Sequence, residues 1–226
     1  MLFRSRKWAA DGGSVIVLVE GFLGNGLGLP LQQREHAERR SVLVPSGKTQ
    51  AFVAITFAAY NPGRCRNLDE DNLCRIYDRR PLVCRIYPME INPHIPFNPA
   101  AKECPPESWE QGPVLIAGGE LMDEELAELI RRSRQADRDD VKTKEAVCTL
   151  LGIRTTALKG DGFTAYLPQM DAFAQAIELA ASQPCVANEW VFHVSGMDIA
   201  EQLLDAGAQL ATEVPANYAF IPLRTA

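Results

Sequence analysis

The chain opens with short apolar runs separated by glycine and proline. Ser14-Val-Ile-Val-Leu-Val19 is nearly continuous in apolar residues and predicts a buried strand over 14–20. Gly21 to Gly28 carries four glycines and predicts a loop. Leu31–Arg40 is polar and predicts a short helix. Ser41-Val-Leu-Val44 and Gln50-Ala-Phe-Val-Ala-Ile-Thr-Phe57 are β-rich runs joined by Pro45-Ser-Gly-Lys-Thr49, the pattern of a hairpin. Residues 58–112 are dense in Pro, Asn, Arg and Cys and show little periodicity. That stretch offers little apolar surface for a packed layer, so something other than a core is expected to order it.

After Gly118-Gly119 the period changes. Helices are predicted over 123–134, 137–151, 169–182 and 197–208, and strands over 162–167, 189–195 and 218–223. Asp123 is the expected N-cap of the first helix, with Leu126, Leu129 and Ile130 on one face. The second should group Val147, Leu150 and Leu151, and the third should turn Phe173, Ile177 and Ala180 inward. The expected fold class is α+β. An irregular Cys-rich module with a β-hairpin over 1–115 is followed by an α/β C-terminal region over 116–226.

Composition fits that picture. The 226 residues are 46% hydrophobic, and a chain of this length buries roughly 70% of its unfolded surface without needing disulfides. The net charge of −6 and pI near 5.2 argue against a nucleic-acid partner. No apolar run approaches about 18 residues, so no membrane-spanning helix is expected. Leu2-Phe-Arg-Ser5 is also the translation of CTCTTCCGATCT, which ends a common sequencing adapter. Residues 1–5 are therefore expected to be an assembly scar with the native N-terminus missing, and they are set aside from fold reasoning.

Two glycine patterns imitate nucleotide motifs. Ser46-Gly-Lys-Thr49 lacks a glycine at position 42, which is Val, and precedes a strand, so a hairpin turn is expected. Gly24-Asn-Gly-Leu-Gly28 places its third glycine one residue early for a dinucleotide fingerprint. The histidines, His36, His94 and His193, do not cluster in sequence. His193 is expected to be a hydrogen-bonded structural residue, because it alternates with Phe192 and Val194.

The chemistry lies with the cysteines. Four of six fall within forty residues, as Cys65-x8-Cys74-x9-Cys84-x19-Cys104. Cys148 sits beside Val147 on an expected helix and reads as an inert buried thiol, and Cys185 follows Gln-Pro in a loop. The four clustered cysteines admit a disulfide framework, coincidence or a thiolate metal site. Four thiolates suit a tetrahedral Zn²⁺ and equally an iron–sulfur cluster. Arg64, Arg66, Arg75, Arg79, Arg80 and Arg85 lie among them, and positive charge lowers thiol pKa. The same arginines could instead pair with Asp69, Glu70, Asp71 and Asp78 as a solvated loop. Cys-Arg-Ile-Tyr occurs at 74–77 and again at 84–87, with Arg79-Arg80-Pro81 between. Each copy is expected to supply one thiolate and one neutralising arginine. Ile76, Tyr77, Ile86 and Tyr87 would form an apolar wall over the sulfurs or else a small satellite core.

Cys65-Arg-Asn-Leu-Asp-Glu-Asp-Asn-Leu-Cys74-Arg-Ile-Tyr-Asp-Arg-Arg-Pro-Leu-Val-Cys84-Arg-Ile-Tyr-Pro88, followed by Cys104-Pro105, resembles the YkgJ-type cysteine-cluster family, which is described as zinc- or iron-chelating. The resemblance covers about 60–112. It implies Cys65, Cys74, Cys84 and Cys104 as metal ligands, with Arg75, Arg79 and Arg85 as neighbouring charge, and Zn²⁺ or an iron–sulfur cluster as cofactor. The family normally opens with an N-terminal Cys-x-x-Cys run, whereas this chain has no cysteine before Cys65. The expectation is a cytoplasmic bacterial metal-binding protein, with the metal ion and a protein as partners and no reaction assigned. Two alternatives stand beside it. One is an iron–sulfur part of a FliB-like lysine N-methylase. The other is an Arg-rich module that docks an acidic partner.

Overall fold

The computed structural model describes residues 2–182, 188–212 and 217–223, apart from the side chains of 2–4 and 106. Contacts divide the chain into two compact units. One comprises Met1–Arg66 with Arg138–Ala226, and the other Asn67–Asp137.

The first unit is built on a seven-stranded sheet. Strand β1 (Ser14–Leu23) lies at its centre and pairs antiparallel along its whole length with β3 (Thr49–Tyr60). Strand β2 (Ser41–Ser46) pairs antiparallel with β3, which confirms the hairpin. Its turn is Gly47-Lys48, where Gly47 has φ +60° and Lys48 N–H donates to the Gly207 carbonyl at 2.7 Å. The Ser-Gly-Lys-Thr stretch is thus a hairpin turn.

The other edge of β1 is shared. Its C-terminal end pairs parallel with β6 (Thr155–Leu158), and its middle pairs antiparallel with β7 (Gly162–Tyr166). Strand β8 (Val191–His193) extends the sheet from β6, and β9 (Tyr218–Pro222) extends it from β7. One sheet therefore joins strands from both sides of residue 115.

Strand β1 runs three residues further than its sequence predicts. Gly21 pairs with Val53 inside the sheet instead of opening a loop. A Cβ there would meet the Thr156 side chain at 3.0 Å and the Phe192 ring at 3.2 Å. This glycine permits close packing, a use that looks the same as a turn in sequence.

The core alternates along β1. Val15, Val17, Val19 and Leu23 point into one cluster with Val53, Ile55 and Phe57 of β3. Helices α1 (Leu2–Ala10) and α5 (Val141–Leu150) pack against β3, and α6 (Met170–Ala180) packs on both helices. Phe173 and Ile177 of α6 are buried as expected. Phe173 meets Phe57 edge-on at 5.1 Å between ring centroids. Cys148 is buried in this core, but Leu150 on the same helix is exposed. Leu150 is the last residue of α5. The last helix, α7 (Met197–Asp205), buries Leu203.

Polar groups at the β6–β7 junction are satisfied internally. The Thr155 carbonyl accepts from Thr164 Oγ1 at 2.9 Å and from Tyr166 Oη at 2.8 Å. Burial pushes the Tyr166 phenol up, which keeps it a neutral donor. Lys159 Nζ donates to Glu20 Oε1 at 2.6 Å, so the charge that β1 buries is paired. His193 Nδ1 lies 2.9 Å from Tyr218 Oη, the structural role expected of it.

The second unit is mostly irregular, but it has a core of its own. Ile86, Leu129 and Ile130 are buried together, with Leu82, Met89, Ile91, Leu121 and Leu126 packed around them. Ile86 belongs to the one-and-a-half-turn helix α3 (Leu82–Ile86), and Leu129 and Ile130 to α4 (Glu124–Asp139). The expectation that this stretch lacks a core fails because its apolar partners come from α4, beyond the Cys-rich run. Asp123 caps α4, with its Oδ1 accepting from Leu126 N–H at 2.9 Å. Before it, Gly118-Gly119 forms the turn of a small hairpin between β4 (Ile116–Ala117) and β5 (Glu120–Leu121), with both glycines at positive φ. Helix α2 (Arg34–Glu38), preceded by a 3₁₀ turn, supplies the short helix expected over 31–40 in the first unit. No described helix is long and apolar enough to cross a membrane.

Candidate metal centre

The Cys-rich stretch gets its shape from side chains that replace regular backbone pairing. Asp69 Oδ1 accepts from the backbone N–H of Asp71 at 3.1 Å and of Leu73 at 2.8 Å. Asn72 takes φ +63°, a conformation Asn tolerates. The loop closes in an antiparallel bridge between Leu68 and Cys74. Arg75 reinforces it by donating its backbone N–H to the Asn67 carbonyl at 2.9 Å and its guanidinium to the Leu68 carbonyl at 3.2 Å. Cys74 is thus set, half-buried, at the end of a closed turn.

The second copy is built differently. Pro81 precedes α3, and Cys84 lies mid-helix with its side chain exposed. Ile86 drops into the core while Ile76 is only half-buried. The doubled tetrapeptide therefore does not make two equivalent arms. Tyr77 and Tyr87 are both exposed, so the expected apolar wall over the sulfurs is absent as drawn and the satellite core is present in part.

Cys104 follows a run of Asx-type turns. Asn92 Oδ1 accepts from His94 N–H at 3.0 Å, and Asn98 Oδ1 from Ala100 N–H at 3.1 Å. The half-buried Cys104 sulfur lies 3.6 Å from Tyr87 Oη, and that hydrogen bond pushes the Tyr87 phenol up. Cys65 belongs to the first unit, one residue before its end, and is half-buried.

The arginines are engaged locally. Arg85 donates to Glu125 Oε1 at 2.9 Å, an exposed pair within the second unit. Arg80 lies over the Tyr77 ring at 3.6 Å from its centroid. Arg79 is exposed, with its backbone N–H on the Ile76 carbonyl at 2.9 Å.

The donor set suits a soft metal in kind. Cys65, Cys74, Cys84 and Cys104 carry reduced thiols in one forty-residue stretch, with arginine beside three of them. Among the described residues, no group of three or more His, Cys, Asp or Glu side chains is placed to hold a metal ion. Cys148 belongs to the core, and Cys185 lies outside the described residues.

The sequence reading passed over three features. Asp69 organises the turn before Cys74, and its signal was an Asp followed three residues later by Asn. Glu90 pairs with Lys102 across the stretch. Tyr87 Oη lies 3.6 Å from the Cys104 sulfur while the Tyr77 ring lies under Arg80, and nothing in two identical tetrapeptides distinguishes them.

No curated protein and no solved structure matches the chain. Residues 29–105 match the model of a family described as a putative zinc- or iron-chelating domain, and the first cysteine in that match is Cys65. This match agrees with the resemblance that the motifs of the stretch show.

Proposed function

We propose that residues 65–104 bind Zn²⁺ or an iron–sulfur centre, with Cys65, Cys74, Cys84 and Cys104 as the thiolate ligands. The observation that carries this reading is four reduced, solvent-reachable thiols within the matched domain, while Cys148 is sealed in the core. Thiolates are the ligands of both metals, and each thiol must lose a proton to bind. Arg75, Arg79 and Arg85 supply positive charge in the same stretch and lower the cost of gathering those thiolates. Because the donors are not grouped, binding is coupled to movement of the loops that carry them. Neither methylase chemistry nor docking of an acidic partner gains a supporting observation.

The test is Zn²⁺ affinity, measured by chelator competition on single Cys→Ser variants. Replacement of Cys74, Cys84 or Cys104 should weaken binding at least tenfold, and Cys148→Ala should leave it unchanged. Equal affinities across the series would overturn the ligand assignment.

A further inference from the structure

The second unit contains a cavity of about 350 Å³ that none of Cys65, Cys74, Cys84 and Cys104 lines. It lies between the segment that follows α3, the β4–β5 hairpin and α4. Met89, Ile95 and Phe97 come from the first of these, Ile116 and Leu121 from the hairpin, and Ile130 from α4. Trp109 braces Phe97, with the two rings edge-on at 5.5 Å between centroids. Ile130 is buried, while Ile95 and Ile116 are 48% and 37% exposed, so the apolar lining runs from the core out to solvent. A volume of this size stands at the small end of the range for ligand pockets, roughly 300–1,000 Å³.

One wall of the cavity is cationic. Arg131 and Arg134 stand three residues apart on α4, so they share a face, and both line the cavity. Arg134 Nε donates to the Ile91 carbonyl at 2.7 Å, which ties α4 to the 89–97 segment. Arg131 pairs with Glu128 at 2.9 Å, with the two side chains 64% and 53% exposed. Exposed pairs of this kind add little to stability, so the Arg131 guanidinium is able to exchange Glu128 for another carboxylate. The lining's own carboxylate, Glu90, is paired with Lys102, whose side chain is only 12% exposed. Two guanidiniums against this one engaged carboxylate give the lining a net positive charge.

We propose that this cavity binds a small organic monocarboxylate, with its apolar body against Met89, Ile116 and Ile130 and its carboxylate on Arg131. A guanidinium presents a planar fork of N–H donors that matches a carboxylate in shape and charge. The apolar lining supplies the burial, and the arginine sets the orientation and selects the anion. The proposal stands apart from the metal-chelating reading, because the two use different residues.

The test titrates full-length protein with octanoate and follows the methyl NMR signals of methionine, isoleucine and leucine. Octanoate should saturate the protein with a Kd of about 1 mM or tighter, with the shifts concentrated at Met89, Ile116 and Ile130. Arg131→Gln removes the charge at an exposed position and should weaken binding about tenfold. Arg132→Gln removes the same charge from the next residue, which is exposed and does not line the cavity, and should match wild type. Octan-1-ol keeps the chain and lacks the carboxylate, so it should bind wild-type protein about tenfold more weakly than octanoate. That comparison needs no variant. Equal octanoate affinity in Arg131→Gln and wild type, or equal affinity of wild type for the alcohol and the acid, would overturn the proposal. So would a titration that does not saturate, or one whose shifts lie outside the cavity.

Discussion

Asp69 Oδ1 accepts the backbone N–H of Leu73 at 2.8 Å, and this bond closes the turn that delivers Cys74. The same oxygen takes Asp71 N–H, so one carboxylate substitutes for the ladder that an ordinary hairpin would supply. Asp69→Ala should therefore cost about 1–2 kcal/mol of stability in the second unit. Asp69→Asn keeps an acceptor in the same place and should recover most of it. Urea unfolding followed through hydrogen exchange of residues 67–76 reads both. An equal loss in the two variants would show that the charge, and not the acceptor, is what counts.

The core of the second unit makes a separate prediction. Ile86 is buried against Leu129 and Ile130. Ile86→Ala should cost about 2–5 kcal/mol through lost burial and a residual cavity. Exchange protection in the first turns of α4 should fall with it. Val83→Ala, on the exposed side of the same short helix, should change little. Comparable losses in both would contradict this core.

Burial also sets a pH dependence. It is the larger influence on Glu145, raising its pKa above the ordinary carboxylate value, and the Lys142 charge only partly offsets it. A carboxyl with a raised folded pKa favours folding while protonated. Its contribution is full below the unfolded value, about 4.3, and is lost as pH rises through the folded value. Glu145→Gln should accordingly raise Tm at neutral pH, with the gain vanishing near pH 4. Thermal melts across that range decide it, and a gain that grows toward acid would contradict the assignment.

The sequence disclosed those parts of the fold whose signals are local. The β2–β3 hairpin, the Asp123 cap and the inward face of α6 each lie within one turn or one alternation. Long-range packing hid the rest. Gly21 reads as a breaker until Thr156 and Phe192 crowd it from more than 130 residues away. Strand β6 is only four residues long and buried on both faces, so it shows no alternation. The site follows the same rule. The cysteine spacing and the family motif named the candidate donors. The copies at 74–77 and 84–87 then diverged, one ending a bridged turn and the other forming a helix, because only Ile86 has an apolar partner in α4.

The central claim is that the domain over 29–105 holds a metal through its thiols. Elemental analysis for zinc and iron, with a visible spectrum, on anaerobically purified protein tests it most directly. The account predicts one of the two metals in stoichiometric amount, colourless if zinc and brown if an iron–sulfur centre. It also predicts loss of that metal when Cys74, Cys84 and Cys104 are together changed to Ser. Metal content no higher in wild-type protein than in that triple variant would contradict the claim.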